Sequence, residues 1–290
     1  MVPPLPGVWG ARTYVMGIVN CTPDSFSGDG RPDPAWAIAH GLRLAEEGAD
    51  LLDVGGESTR PGTTPVTAAE ELRRVLPVVA ALAARAGVPV SVDTSKAVVA
   101  EAALAAGAAL VNDVWALGRD PALAGVVSRH GAGVVLMHNR SADPTIGVLG
   151  GHYPQVVYDR GDVVAAVGVA LEAYVAQAEL AGIPRDRLII DPGIGFGKTV
   201  EQNLAMLRSL GALKARPGLR GLPLLLGTSR KSVIGLTLDL PVGERLEGTL
   251  ATLALGIAQG VDIVRVHDVR AAVRCCRMAD AIVRGRVTGV

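Results

Sequence analysis

Aromatic side chains are scarce: two Phe, four Tyr and three Trp make up 3% of the 290 residues, so the core has to be built from aliphatic groups. Cysteine numbers only three, two of them adjacent at Cys275 and Cys276, which excludes a disulfide framework and a C-x-x-C redox or metal pair and fits a reducing cytosol. Neither sign of charge is in excess. With 28 Lys and Arg against 28 Asp and Glu, no global field draws the chain to nucleic acid or to an anionic membrane. Uninterrupted apolar runs stay far below the ~18 residues of a membrane span. The opening MVPPLPGVWGAR lacks the basic and then apolar pattern of a secretory leader. The expectation is a cytoplasmic protein with neither membrane nor nucleic acid as partner.

What the chain does have is a cadence. Hydrophobic residues reach 49% with a mean hydropathy of +0.36, far from the composition of disordered chains. Short β-branched or Leu-rich runs recur at 14–19, 51–54, 89–92, 110–111, 133–137, 188–190, 223–226 and 263–266. Most lack polar alternation, as parallel strands covered on both faces do. Helical patterns lie between them. One opens on Asp33-Pro34, an N-cap with proline at the first helical position, and turns Ile38, Leu42 and Ala45 inward. The next opens on the capping box Thr67-x-x-Glu70 and lines up Leu72, Val75, Leu76, Val79, Leu82 and Ala83. Glycines at 48, 87, 107, 131, 182 and 260 mark helix ends, where a left-handed residue is cheapest without Cβ. Alternating strands and helices over residues 1–290, with no composition break, predict one α/β domain, a closed (β/α)8 TIM barrel, with an open doubly wound sheet as the alternative.

In such a barrel, chemistry belongs at the C-terminal strand ends. Asn20, Asp53, Asp93, Asn112, His138, Asp191, Ser229-Arg230-Lys231, Arg265 and His267 fall there in strand order. A lone Asp after a strand is usually a helix cap. Eight polar clusters on one rim, mixing amide, carboxylate and guanidinium, are not explained by capping. Asp93, Asn112 and Asp191 suit the donor-rich edge of a flat heterocycle. Arg60, Arg230, Lys231, Arg265 and His267 suit phosphate or carboxylate. The implied substrate is a planar N-heterocycle carrying an anion. The two phenylalanines, Phe26 and Phe196, both fall in rim segments and can wall a flat ring. GIGFGKT at 193–199 looks like a phosphate loop, but Pro192 stands where a Walker motif needs glycine, and Lys198 where a dinucleotide motif does.

The motifs MGIVNCTPDSFSGDG at 16–30, DVGGESTRPG at 53–62, SVDTSK at 91–96, ND at 112–113, DPGIGFGK at 191–198, GTSRKSVIG at 227–235 and RVHDV at 265–269 occur in order. On them the chain resembles the dihydropteroate synthase family. The resemblance implies a transferase of folate biosynthesis that joins 6-hydroxymethyl-7,8-dihydropterin diphosphate to p-aminobenzoate and releases diphosphate. It also implies site roles. Asp93, Asn112, Asp191 and Lys231 would hold the pterin, and Asn20, Thr59, Arg265 and His267 the diphosphate. Mg²⁺ would be held at Asn20. Phe26, Thr59, Arg60, Phe196 and Ser229 would form the aminobenzoate side. Asp93, Asp191, Lys231, Arg265 and His267 are the expected catalytic set, and a homodimer contacting through the last two helices is the expected assembly. A related pterin-binding methyltransferase would share the barrel but gives no reason for STRPG or SRK.

The chain departs from the family pattern twice. Ser27-Gly28-Asp29-Gly30 replaces the frequent Ser-Asp-Gly-Gly, and Asn139 follows Met137-His138 where many members carry Met or another bulky residue. The Gly-, Pro- and Ser/Thr-rich segments 22–32 and 57–65 lack apolar periodicity and are expected to order only with ligand. The stretch 139–154 reads as an active-site loop or an external excursion.

Overall fold

A computed structural model describes residues 9–22, 33–58, 65–143, 145–149, 152–158 and 161–285. Eight parallel strands, β1 (Tyr14–Asn20), β2 (Leu51–Gly55), β3 (Val90–Asp93), β4 (Leu110–Asp113), β5 (Gly133–Met137), β6 (Leu188–Asp191), β7 (Leu225–Leu226) and β8 (Ile263–Val266), pair in the order β6-β5-β4-β3-β2-β1-β8-β7. The ring closes between its two ends. A parallel bridge joins Ile190 to Leu224, and Ile190 N–H donates to Pro223 O at 3.0 Å. A doubly wound sheet has two free edges and a reversal of strand order, so the TIM barrel holds and its alternative falls.

Helices α1 (Pro34–Glu46), α2 (Ala68–Arg85), α3 (Ala97–Ala105), α4 (Leu123–His130), α5 (Val163–Leu180), α6 (Val200–Arg208), α7 (Leu210–Ala215), α8 (Ser232–Leu238), α9 (Leu246–Ala258) and α10 (Val269–Arg284) surround the strands. All six glycines expected at helix ends have positive φ, from 60° at Gly131 to 108° at Gly107. The Asp33 carboxylate caps α1 as expected, accepting from Ala35 N. The inward face of that helix is displaced by one residue. Ala37, Gly41 and Leu44 are buried, while Ile38 and Leu42 flank them, because a Cβ on Gly41 would meet Leu82 Cδ1 at 2.7 Å and the bare backbone lets α1 lie close on α2. In α2, Val78 replaces the exposed Ala83 on the buried face, and only half of the capping box forms. Thr67 Oγ1 accepts from Glu70 N, but the Glu70 carboxylate turns away to Arg73 and Arg74.

Two further expectations change. Strand seven is shorter than its apolar run, since Leu224 N–H donates to the buried Asp262 carboxylate at 2.8 Å and Pro223 has no N–H to give. One described helix, α5, is long and apolar enough by length and composition to cross a membrane. Its Glu172 hid this from a search for uninterrupted runs. Val167, Leu171 and Val175 of α5 pack into the core instead.

Strand alternation divides the interior in two. Outward residues such as Val15, Leu52, Val92, Val134, Ile190 and Val264 meet the helices in one continuous aliphatic core. Inward residues Tyr14, Met16, Leu51, Leu110, Val135, Ile189, Leu225 and Ile263 fill the barrel, with Trp9 set edge-on against Tyr14. The barrel is therefore a packed core and not a pore.

Candidate active site

The period-two rule that seats this inner layer also builds the site. Two residues beyond Leu51, Leu110, Ile189 and Ile263 stand Asp53, Asn112, Asp191 and Arg265, and Asp93 stands two beyond the inward Ser91. Each points into the barrel directly above the apolar layer. Dense aliphatic packing below and backbone ladders on either side leave these polar groups no exit but the C-terminal mouth.

Arg265 organises the centre. Its Nε donates to Asp53 Oδ2 at 2.6 Å and a terminal nitrogen to Asp93 Oδ2 at 2.9 Å. Asn112 Nδ2 donates to the same Asp53 oxygen at 2.8 Å. One guanidinium serves two carboxylates, so ionising both would leave an excess negative charge out of water. Burial, reinforced by Asp53 and Glu71 and opposed by Arg265, pushes the Asp93 carboxyl up to about 8. Burial also raises Asp191 against the pull of Lys231, and lowers Lys231 to about 8 against the pull of Asp191. The paired charges of Arg265 prevail over its burial and raise it.

The segment after β6 is held from beneath. Asp191 Oδ1 accepts from Gly193 N at 2.7 Å, and Gly193 takes φ +67° with His138 O only 1.9 Å from where a Cβ would sit. Lys198, 1% exposed, donates to Gly193 O at 2.8 Å and Phe196 O at 3.2 Å, and its Nζ lies 3.0 Å from His138 Nδ1. Asn203 and Tyr158 add bonds to Gly195 N and Gly197 O. This frame turns Phe196 toward Lys231, whose Nζ sits 4.7 Å from the ring centroid while donating to Ile194 O at 2.6 Å. Opposite, Ser229 Oγ accepts from His267 N at 3.2 Å and lies 2.9 Å from His267 Nδ1, an arrangement that favours the Nε2–H tautomer. A cavity of about 200 Å³ opens at this mouth, lined by Asp93, Lys96, Trp115, Asn139, Tyr153 and Phe196 among others.

A family model described as pterin binding enzyme matches residues 16–267. The dihydropteroate synthase of Clostridium beijerinckii is 46% identical over 278 residues, covering 95% of this chain and 96% of that one. Among solved structures, the dihydropteroate synthase of Clostridium difficile in the presence of pteroic acid is 46% identical with a TM-score of 0.86, covering 95% of this chain and 98% of that one. That of Xanthomonas albilineans with 4-aminobenzoic acid is also 46% identical, with a TM-score of 0.83 and 93% coverage of both chains. The chain belongs to the dihydropteroate synthase family.

Within this dihydropteroate synthase barrel, the structure gathers Asp93, Asn112, Asp191, Lys231 and Arg265 about one mouth, with Phe196, Ser229 and His267 at its rim. Asn20 ends β1, half-buried. Phe26, Thr59 and Arg60, together with Asp24 and Asp29, lie outside the described residues. Arg230 turns away and pairs with Asp268 at 2.6 Å. Asp113 faces outward, as the residue after an inward Asn112 must. It accepts from Trp115 N and Leu117 N, bracing Ala116 and Leu117 in left-handed backbone and aiming that loop at the cavity. The excursion after β5 packs on the frame of the sixth loop, with Arg140 donating to Val157 O and Gln202 to Val156 O. After β5, Asn139 Oδ1 accepts from both Ser141 N and Ser141 Oγ, so a polar turn stands at this position.

Two groups escaped the sequence reading. Asp53, which rim position alone assigns no role, is the hub joining Arg265 to Asn112; its signal is an acid inside an otherwise apolar strand. Lys198, which falls in the false phosphate loop, satisfies the carbonyls of Gly193 and Phe196 from a buried position.

Proposed function

We propose that this chain performs the dihydropteroate synthase reaction, joining 6-hydroxymethyl-7,8-dihydropterin diphosphate to p-aminobenzoate with release of diphosphate, and that the roles divide by strand. The observation that carries the reading is the convergence of Asp93, Asn112 and Asp191 above the apolar barrel layer, with Lys231 and Arg265 as their cations. Asp93 and Asp191 accept from the amino and ring N–H groups of the pterin, Asn112 offers both donor and acceptor, and Lys231 donates to ring acceptors. Arg265 holds Asp93 in place and, with His267, Thr59 and Asn20, receives the diphosphate.

Asn20 brings one amide oxygen. Among the described residues no cluster of three or more His, Cys, Asp or Glu could hold a metal by itself. That donor set fits Mg²⁺, which keeps waters and takes phosphate oxygens readily and needs no all-protein cage. Asn20 would hold the Mg²⁺, which when bound would supply charge to stabilise the departing diphosphate. Phe26, Phe196, Thr59, Arg60 and Ser229 are assigned to the aminobenzoate. Its amine forms the new C–N bond to the exocyclic carbon as the C–O bond to diphosphate breaks, and the amine proton leaves to solvent or diphosphate. No covalent bond to the protein is required.

The three cysteines are all unpaired, which supports a reducing cytoplasm. Leu255 on α9 and Met278 and Ile282 on α10 are each more than 60% exposed on two helices packed together, which supports these helices as the homodimer contact. The test is diphosphate release with both substrates and Mg²⁺. Release that requires aminobenzoate and yields one dihydropteroate per diphosphate is expected. No release in the presence of both substrates would overturn the reading.

A further inference from the structure

The neck of the second loop is built around an ion triad. Lys96, from the turn after β3, donates to Glu57 Oε2 at 2.5 Å and also to Glu71 Oε2 on α2. Glu57 Oε2 in turn accepts from Val66 N at 3.3 Å. The side chain of residue 57 thus spans to the backbone of residue 66, tying together the two ends of the segment that contains Thr59 and Arg60. Glu71 is the anchor. It is 1% exposed, and its helix is pressed on the loop stem at Gly56, where a Cβ would meet Val75 Cγ1 at 2.6 Å. Arg74, from the same helix, donates to Gly56 O at 2.9 Å. Glu57, Ser58, Pro65, Glu71 and Lys96 form one wall of the cavity whose other walls include Asp93 and Phe196.

The triad is specific in its chemistry. Two carboxylates converge on one ammonium, and although burial works against the charge, they hold the lysine above its ordinary value. A surface ion pair contributes little, but one with a buried carboxylate cannot lose its cation without leaving a charge unpaired. Lys96 also sits three residues after Asp93, with Lys96 N donating to Thr94 Oγ1, so the turn that carries a pterin carboxylate carries this tie as well.

We infer that Lys96 is a positioning residue for the aminobenzoate side, fastening both ends of the 57–66 segment to Glu71 through Glu57. The inference rests on the proposed aminobenzoate roles of Thr59 and Arg60. Lys96→Met is expected to raise the KM for aminobenzoate at least tenfold while leaving that for the pterin diphosphate within twofold, and Lys96→Arg is expected to recover most of the loss. Should Lys96→Met fail to fold, Glu57→Gln leaves the Lys96–Glu71 pair intact and loosens only the neck, with an expected rise of about threefold or more in the same constant. Hydrogen exchange at the Val66 amide reads the neck without turnover and is expected to quicken in both variants. Unchanged aminobenzoate KM in a folded variant, or equal losses for both substrates, overturns the inference. An inactive wild type with a protected Val66 amide that quickens in the variants counts against the proposed reaction and leaves the neck standing.

Discussion

Replacing Lys198 by methionine should change the pH dependence of stability in a way only a buried amine explains. Burial, helped by Lys231 and Arg140 and opposed by Asp191, lowers this lysine from 10.5 to about 7, a difference of about 3.5 units, or about 5 kcal/mol at about 1.4 kcal/mol per unit. The folded pKa lies below the unfolded one, so between pH 7 and 10.5 the unfolded chain binds a proton that the folded chain does not, and stability from this group rises with pH. Below pH 7 that contribution is lost. Over the accessible window of pH 7 to 9 the swing is about 2 kcal/mol. The neutral amine still donates to Gly193 O and Phe196 O, and its removal takes that donor from Phe196 O at about 1–3 kcal/mol, while Gly193 O keeps the N–H of Phe196. Wild type should therefore gain about 2 kcal/mol on Lys198→Met between pH 7 and pH 9. Urea midpoints and slopes for both proteins at the two pH values make the measurement. A gap that stays constant within about 0.5 kcal/mol would refute the argument, because the lysine would then hold its charge throughout.

Gly193→Ala should lose about 3 kcal/mol or more and with it the seat of Asp191, since the new methyl would fall 1.9 Å from His138 O in left-handed backbone; thermal unfolding together with binding of a pterin analogue reads both effects. Arg265→Ala should reduce turnover more than ~10-fold, by leaving Asp53 and Asp93 buried without their cation as well as by losing an anion contact. Full diphosphate release in that variant would remove Arg265 from the site. Ser229→Ala should raise the KM for aminobenzoate more than that for the pterin diphosphate, and because it also removes the hydroxyl beside His267 Nδ1, a reversed ranking in steady-state kinetics would assign Ser229 to the diphosphate.

Sequence carried the barrel well because its cues are local. The left-handed glycines after the helices and the β-branched runs depend on neighbours a few residues away, and both appear where the pattern puts them. The errors arise where a distant partner decides. Ile38 yields to Ala37 because Gly41 lets Leu82 approach, and strand seven is cut short because Asp262 takes the N–H of Leu224. In the site, alternation alone points Asp93, Asn112 and Asp191 inward. It could not show that Arg265 reaches across from β8 to Asp53 and Asp93, nor that Lys198 turns inward to backbone carbonyls. The Arg265 contacts join strands far apart in sequence and are visible only once the barrel has closed, whereas Lys198 reaches carbonyls in its own loop and shows its role only through the burial that packing imposes. Glu57 and Glu71, which meet on Lys96, are hidden for the same reason.

The claim on which the rest depends is that the carboxylates above the apolar layer read a pterin. Calorimetric titration of wild type and Asp191→Asn with a pterin analogue tests it most directly. Asp191 is buried, with one oxygen on Gly193 N, and an amide there would turn a donor toward the donors of the ring. The account predicts a loss of ~2 to 5 kcal/mol in binding with the fold intact. Equal affinity in the two proteins would contradict it and take Asp191 out of the site.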